Sequence, residues 1–123
     1  MDILIVEPNV DLGRLWKRHL DRQGSRVTLV HAADAALDRL RAGRADIIVA
    51  NLDLPGSGAM AVADYAAYRH PATKVVFVTG SSVFSDGTVF EMSPNACAFL
   101  PTSTAPDDLA AVIAHHGDRV AKH

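Results

Sequence analysis

The feature that most limits the possible folds is the short apolar run Ile47–Ala50, which has no alternation of apolar and polar residues. Four residues are too few for a helix, and three of them are β-branched, which favours extended backbone. A strand that is buried on both faces of a parallel sheet has this pattern. We therefore predict that the run is the central strand of a parallel sheet. Asn51, Asp53 and the turn Pro55-Gly56 follow it directly.

Similar apolar runs lie elsewhere in the chain, and segments with helical spacing separate them. The other predicted strands are Ile3–Val6, Val27–Val30, Val75–Val78 and Ala96–Leu100. The predicted helices follow Asn9, cover Asp34–Leu40 and Ala59–Arg69, and begin near Pro106. A short or loosely held helix is expected within Ser81–Pro94, where Gly87 is a poor helix former. This alternation predicts an α/β fold over residues 1–123 as a single domain, with a parallel sheet and helices on both of its faces.

The apolar spacing also predicts which helix faces are buried. In the first helix, Leu12, Leu15, Trp16 and Leu20 follow the i, i+3, i+4, i+8 pattern of one face. Asn9 is a good N-cap residue for this helix, and Gly24 suits the position just after its C-terminal end. The residues of later helices that are predicted to face the core are Ala36, Leu37, Leu40, Leu109, Val112 and Ile113.

Charge and composition narrow the classes of function. A formal net charge of −2 gives no long-range attraction to nucleic acid or to an anionic membrane. The apolar runs are too short to cross a bilayer. Cys97 is the single cysteine, which excludes an internal disulfide and suits a reducing compartment. We therefore expect a cytoplasmic protein with neither nucleic acid nor membrane as a partner.

The carboxyl ends of parallel strands meet at one edge of the sheet, where open α/β sheets bind their ligands. The predicted strands bring Glu7, Asn51, Thr79 and Leu100 to that edge. These residues, with Asp53 close behind Asn51, form the candidate site.

The same residues carry a resemblance to the receiver domain of bacterial response regulators, the CheY-like family. Ile3–Val6 followed by Glu7-Pro8 resembles that family's first strand and acidic pair, and Asp46–Gly56 resembles the strand and loop with the phosphate-accepting aspartate. Val78-Thr79-Gly80 is similar to the switch threonine and the small residue after it, and Phe99-Leu100-Pro101 to the end of strand five. The resemblance covers essentially the whole chain. It implies a three-layer, doubly wound, flavodoxin-like (βα)5 fold with a parallel sheet in the strand order 2-1-3-4-5.

The sequence departs from the family pattern at the residues that perform its chemistry. Asn51 stands at the phosphoacceptor position, and a neutral amide is a very poor nucleophile. Pro8 replaces half of the acidic pair, Leu100 replaces the lysine, and Cys97 replaces the aromatic switch residue, whereas Thr79 remains. We therefore expect no catalytic residue, no cofactor, no bound metal and no Mg²⁺ binding, in a domain that is not an enzyme.

The leading hypothesis is a stand-alone receiver-like domain that acts as a protein-interaction module in bacterial two-component signalling. Its partner would be a histidine kinase, an output protein or a second copy. The expected surface combines Ser85–Ser93, Ala96–Leu100 and Asp107–Ala121, and Ser81–Pro94 is predicted to be the most mobile segment of the free protein. Two alternatives stay open. In one, the domain accepts phosphate at Asp53; in the other, the vacated pocket holds a small ligand.

Several residues also have an ordinary structural interpretation. Asp53 could be a loop aspartate that hydrogen-bonds locally. His115 and His116 point about 100° apart on a helix and His123 lies near the end of the chain, so solvated histidines are favoured over a metal cluster. Cys97 is most simply a small buried apolar residue. A basic strip is most simply a solvated helix face and, as the minority interpretation, a partner surface; its members are Arg14, Lys17, Arg18, Arg22 and Arg26.

Overall fold

The computed structural model describes residues 1–80 and 93–121. Its strands are β1 (Asp2–Val6), β2 (Arg26–Val30), β3 (Ile47–Asn51), β4 (Lys74–Thr79) and β5 (Ala96–Pro101). Its helices are α1 (Val10–Arg22), α2 (Ala33–Ala42), α3 (Gly58–Arg69) and α4 (Pro106–Ala121). The helix and the mobility predicted for Ser81–Pro94 fall outside the described residues, apart from the last two positions of that segment.

The strands form one parallel sheet in the order β2-β1-β3-β4-β5, which confirms the expected topology. Helices α1 and α4 contact each other on one face, and α2 and α3 contact each other on the opposite face. The fold is therefore the three-layer α/β arrangement of flavodoxin-like proteins. In the residues that the structure describes, no helix has both the length and the apolar character needed to cross a membrane.

The central strand β3 is buried at all of its residues, as its unbroken apolar run predicts. Alternate residues of the sheet contribute to two apolar clusters because successive side chains of a strand point to opposite faces. Leu4, Ile48 and Phe77 belong to the cluster beneath α2 and α3, and Val49 and Val76 belong to the cluster beneath α1 and α4. Both sides of the sheet are thus covered, and the polar residues that follow the strands are confined to its edges.

Helix α1 begins and ends as the sequence predicts, but one of its predicted core residues is wrong. The Asn9 side chain accepts a hydrogen bond from the amide of Leu12 at 3.0 Å, and Gly24 has φ +91° just beyond the helix end. Leu15 is 45% exposed. The buried face is centred on Gly13, Trp16 and Leu20, so Leu15 lies more than 100° around the helix from its centre.

The register of the sheet places three polar residues side by side at one edge. Val6 pairs with Ala50, so Glu7 emerges from β1 beside Asn51, the last residue of β3. Asn51 in turn pairs with Val78, and Thr79 is the last residue of β4. The candidate site predicted from the strand ends is therefore assembled at the carboxyl edge of the three central strands.

Candidate functional site

Glu7 is a fully buried acidic residue at the end of β1. Helix α1 covers it closely, and a Cβ added at Gly13 would lie 3.5 Å from the Glu7 Cβ and 2.7 Å from Leu29 Cδ1. The small residue therefore lets the helix approach the strand end. A buried carboxylate needs hydrogen-bond donors or a cation, because water no longer solvates it.

Asn51 supplies most of the donors that Glu7 requires. Its Nδ2 donates to both carboxylate oxygens of Glu7, at 2.8 Å to Oε1 and 2.9 Å to Oε2. The amide of Asn9 donates to Oε2 at 3.1 Å. Within residues 1–80 and 93–121, no lysine, arginine or histidine forms an ion pair with Glu7. Its carboxylate is therefore stabilised by N–H dipoles.

The Asn51 side chain also accepts a hydrogen bond, and this second contact explains why an amide fits here. Its Oδ1 accepts from the backbone amide of Asp53 at 2.7 Å. A carboxamide both donates and accepts, so it can contact Glu7 and the Asp53 backbone together. An ionised aspartate at the same position would place acceptor oxygens against the carboxylate of Glu7.

The Asp53 side chain extends the network from β3 to β4. Its Oδ1 accepts from the hydroxyl of Thr79 at 3.0 Å, and its Oδ2 accepts from the amide of Gly80 at 2.8 Å. The interpretation of Asp53 as a locally bonded loop residue is therefore wrong, because both partners lie at least 26 positions away in the sequence. The neighbouring strand reaches it because Leu52 N donates to Val78 O at 2.8 Å.

The other predicted site residues lie outside this hydrogen-bonded network. Pro8 is exposed, and Leu100 and Cys97 are half-buried beside the apolar cluster beneath α1 and α4. Burial raises the pKa of the Cys97 thiol to about 11, and the nearby Lys74 ammonium opposes that shift only in part. The sequence interpretation of Cys97 as a small apolar residue agrees with this position. The assignment of these residues to family positions stays a prediction.

Some residues of the site were not found by sequence reasoning. The backbone amides of Asn9 and Gly80 both donate to its carboxylates, and His31 Nδ1 lies 2.9 Å from the carbonyl oxygen of Glu7. The position of His31 could have been predicted from the strand register. Val6 pairs with Val30, so Glu7 and His31, which follow them, become neighbours. The backbone donors have no side-chain signature in the sequence.

The described residues contain no group of three or more histidine, cysteine, aspartate or glutamate side chains arranged to hold a metal ion. His115 and His116 contact each other edge to face, with ring centroids 5.0 Å apart. His123 lies beyond the described residues.

A parallel α/β sheet with an acidic, hydrogen-bonded site at its carboxyl edge defines a class of fold and site. Comparison with known proteins identifies the family. The profile of the response regulator receiver domain matches residues 3–114, and the chain belongs to that family. It is a receiver domain of the kind found in two-component response regulators.

Solved structures with the same fold agree with this assignment. The signal receiver domain of a LuxO repressor protein from Vibrio parahaemolyticus has a TM-score of 0.85 and 24% sequence identity, over 98% of this chain and 92% of that one. A CheY-like receiver domain protein from Methanospirillum hungatei has a TM-score of 0.87 and 23% identity, over 98% and 95% of the two chains. These identities establish likeness of fold. A search of curated proteins gives no match.

Proposed function

We propose that this receiver domain is a protein-interaction module of bacterial two-component signalling that is not phosphorylated at Asn51. One observation carries the proposal: the Asn51 amide donates to Glu7 and accepts from Asp53, so it serves as a structural cross-link. A neutral amide is also a very poor nucleophile toward a phosphoryl group. In this proposal the domain is cytoplasmic, is not an enzyme and transmits its signal by binding.

The donors around Glu7 support the further proposal that the site does not bind Mg²⁺. Mg²⁺ prefers oxygen ligands in octahedral geometry and dehydrates reluctantly. Here both carboxylate oxygens of Glu7 already accept from N–H groups, and Pro8 supplies no second carboxylate. A metal ion would have to displace the Asn51 amide from a buried position. These residues therefore do not fit a bound magnesium ion.

In the described residues, Glu7 and Asp53 have no ion-paired cation, and this further supports the proposal that the domain is not phosphorylated. A phosphoryl group at this edge would add negative charge beside Glu7 and Asp53. Leu100, at the end of β5, offers an apolar side chain where the family resemblance implies a lysine. Among the described residues, no side-chain cation is paired with either acid. Repulsion would therefore oppose a second anion in the site.

Receiver domains of two-component systems interact with histidine kinases or output domains. We therefore propose a histidine kinase or an output protein as the partner of this domain. Helix α1 is one candidate surface, because Val10 is 40% exposed and Leu15 is 45% exposed. Three basic residues of α1 are also exposed and have no ion pair in the described part of the chain; they are Arg14, Arg18 and Arg22. The described parts of the other candidate surface are β5 and α4, through which a homodimer could also form.

Incubation with acetyl phosphate and Mg²⁺, followed by intact-mass measurement, tests the proposal. We expect no phosphoryl adduct on the wild-type protein, because the Asn51 amide cannot accept a phosphoryl group and both oxygens of Asp53 are hydrogen-bonded. A base-labile adduct that disappears in Asp53→Ala would instead establish phosphorylation at Asp53. An adduct that persists in Asp53→Ala would place the acceptor elsewhere and also contradict the proposal.

A titration with Mg²⁺, followed by backbone amide shifts, tests the metal part separately. We expect no saturable change at Glu7, Asn51 or Asp53 below about 1 mM, because carboxylate oxygens available to a hard cation are too few. A saturable response confined to these residues would contradict this part of the proposal.

The partner surface is tested by hydrogen exchange with a purified histidine kinase or output protein from the same host. Added protection on α1 would select the basic strip, whereas protection on β5 and α4 would select the other surface. Arg18→Glu, with Arg69→Glu on α3 as a matched control, should weaken binding only in the first case.

A further inference from the structure

Two hydrogen-bond donors at the carboxyl end of β4 face the same carboxylate, each bonding to one of its oxygens. They are the hydroxyl of Thr79 and the backbone amide of Gly80, and both donate to the carboxylate of Asp53. A hydroxyl and a backbone N–H on adjacent residues form a small oxyanion site here, because both can donate to one two-oxygen anion. In this molecule a carboxylate of the chain itself occupies that site.

The backbone around Asp53 is held in place on both sides, so its side chain is directed toward β4. The Asp53 amide donates to Asn51 Oδ1 at 2.7 Å, and the Leu54 amide donates to the carbonyl of Asn51 at 3.2 Å. The Leu52 amide donates to Val78 O at 2.8 Å, which joins this loop to the end of β4. Asn51 is thereby a positioning residue for Asp53.

Negative charge makes the oxyanion site unsuitable for an external anion. The Glu7 carboxylate lies in the same network through Asn51, and neither acid has an ion-paired cation within residues 1–80 and 93–121. An added phosphate or sulfate would need to displace Asp53 and would face this charge. The internal carboxylate carries no translational entropy cost, because the chain already holds it in place.

We propose that Asp53 is an internal anionic ligand, which holds Thr79 and Gly80 in one arrangement without any phosphoryl transfer. The inference rests on the proposed function, in which Asn51 does not accept a phosphoryl group. Asp53, and not a phosphoryl group, then fixes the end of β4. The domain would then present one constant arrangement of this edge to its partner.

Asp53→Ala and Asp53→Asn, compared with Asp64→Ala and Asp64→Asn, test the proposal. Asp64 is an exposed aspartate of α3 whose side chain has no hydrogen bond or ion pair in the described structure, so its variants change charge without touching the site. The measurement is the solvent-exchange rate and the ¹⁵N shift of the Gly80 amide in labelled protein. Exchange of the Val49 amide in β3 reports global opening.

We expect Gly80 exchange to rise about tenfold in Asp53→Ala, since the amide loses a charge-assisted hydrogen bond. Asp53→Asn should give an intermediate rate, because its amide group offers one acceptor oxygen for two donors. The Asp64 variants and the Val49 amide should change less than twofold. Millimolar inorganic phosphate should not shift the Gly80 amide of the wild-type protein saturably.

Each contrary result would overturn the proposal. An unchanged Gly80 rate in Asp53→Ala would show that the carboxylate does not hold this amide. A wild-type rate in Asp53→Asn would show that the negative charge is not needed. Parallel acceleration of Val49 would show that Asp53 supports the whole fold and does not hold the Gly80 amide in particular. A saturable shift with phosphate would show that an external anion displaces Asp53. The acetyl phosphate experiment uses a different readout, so failure of the proposed function is distinguishable from failure of this inference.

Discussion

The two ends of the sheet handle acidic residues in different ways. At the carboxyl edge, Glu7 and Asp53 are stabilised by amide and hydroxyl donors. At the amino edge, Asp2 pairs with Arg26 at 2.8 Å and Asp46 pairs with Arg44 at 3.1 Å. In the part of the chain that the structure describes, the acids of the amino edge are therefore ion-paired with exposed arginines, whereas those of the carboxyl edge accept from neutral donors and have no ion-paired cation.

The two kinds of partner differ in how strongly they hold an acidic side chain. An exposed arginine is mobile and screened by salt, so its ion pair contributes little to folding. A buried donor has one geometry, and loss of its partner leaves an unsatisfied polar group. At the carboxyl edge, Glu7 and its donor Asn51 are buried in this way, and so is Thr79, whereas Asp53 and Gly80 are exposed. At the amino edge, a groove of about 440 Å³ lies between α1 and α4, lined in part by Met1, Asp46 and Ile113.

The largest effect is expected from Asn51→Asp, which would replace the donor to Glu7 with a second carboxylate. We expect a loss of about 2–4 kcal/mol in the free energy of unfolding at pH 7, because a buried charge loses its partner. Two adjacent carboxylates raise the pKa of one of them above the ordinary aspartate value of about 3.9. The loss of stability should therefore be absent below a pH of about 3.9. It should grow as the pH rises from there to the raised pKa and stay constant at higher pH.

Urea denaturation of Asn51→Asp at several pH values between 4 and 8 checks this expectation. Asp46→Asn, at the amino edge, is the control: it removes one negative charge, whereas Asn51→Asp adds one. An equal loss at all pH values would show that repulsion with Glu7 is not the cause. The variant should still accept no phosphate from acetyl phosphate, because Pro8 and Leu100 remain in place.

Glu7→Gln at the carboxyl edge and Thr73→Val at the amino edge each change one buried hydrogen-bonded group. The glutamine amide would present donors to the Asn51 Nδ2, and we expect a loss of about 1–3 kcal/mol. At the amino edge, Thr73 is also buried and its hydroxyl donates to the carbonyl of Ala45 at 2.6 Å. Thr73→Val removes that one bond and should lower stability by about 1 kcal/mol. Thermal unfolding that ranks these two variants in the reverse order would contradict the central role of Glu7.

Arg26→Gln and Arg44→Gln remove the cations of the amino edge and should have a smaller effect. The Arg26 side chain is 83% exposed, so each change should lower stability by about 0–1 kcal/mol. The effect should vanish in about 1 M salt, where the Debye length is about 3 Å. Denaturation of Glu7→Gln at low salt and again in about 1 M salt provides the comparison, since the effect of that substitution should persist. Equal salt sensitivity of the two edges would remove the distinction between them.

The smallest effect concerns Cys97, which is half-buried in β5, the outermost strand of the sheet. Its thiol pKa of about 11 places the group in its protonated form at neutral pH. Alkylation by iodoacetamide should therefore be slow at pH 7 and rise about tenfold per pH unit up to the pKa, with free cysteine as the reference. Lys74→Gln should slow the reaction slightly, because the ammonium partly opposes the effect of burial. Reaction as fast as that of free cysteine would contradict this environment.

Much of this molecule is determined by local patterns in the sequence. Unbroken apolar runs such as Ile47–Ala50 are compatible with strands buried on both faces, and their alternation with helical spacing leaves few arrangements other than a parallel sheet. The cap at Asn9 and the helix end near Gly24 depend on a few neighbouring residues, so both were predictable. The location of the site followed because strand ends in such sheets share one edge.

Packing of distant segments sets which groups meet at that edge. Asn51 bonds to Glu7 across 44 positions, and Asp53 bonds to Thr79 across 26, so no local pattern contains either contact. The burial of Gly13 in place of Leu15 depended on how closely α1 approaches β2. A sequence determines which side chains can donate, accept or avoid water. Their partners depend on strand register and helix distance, which arise only when distant segments pack together.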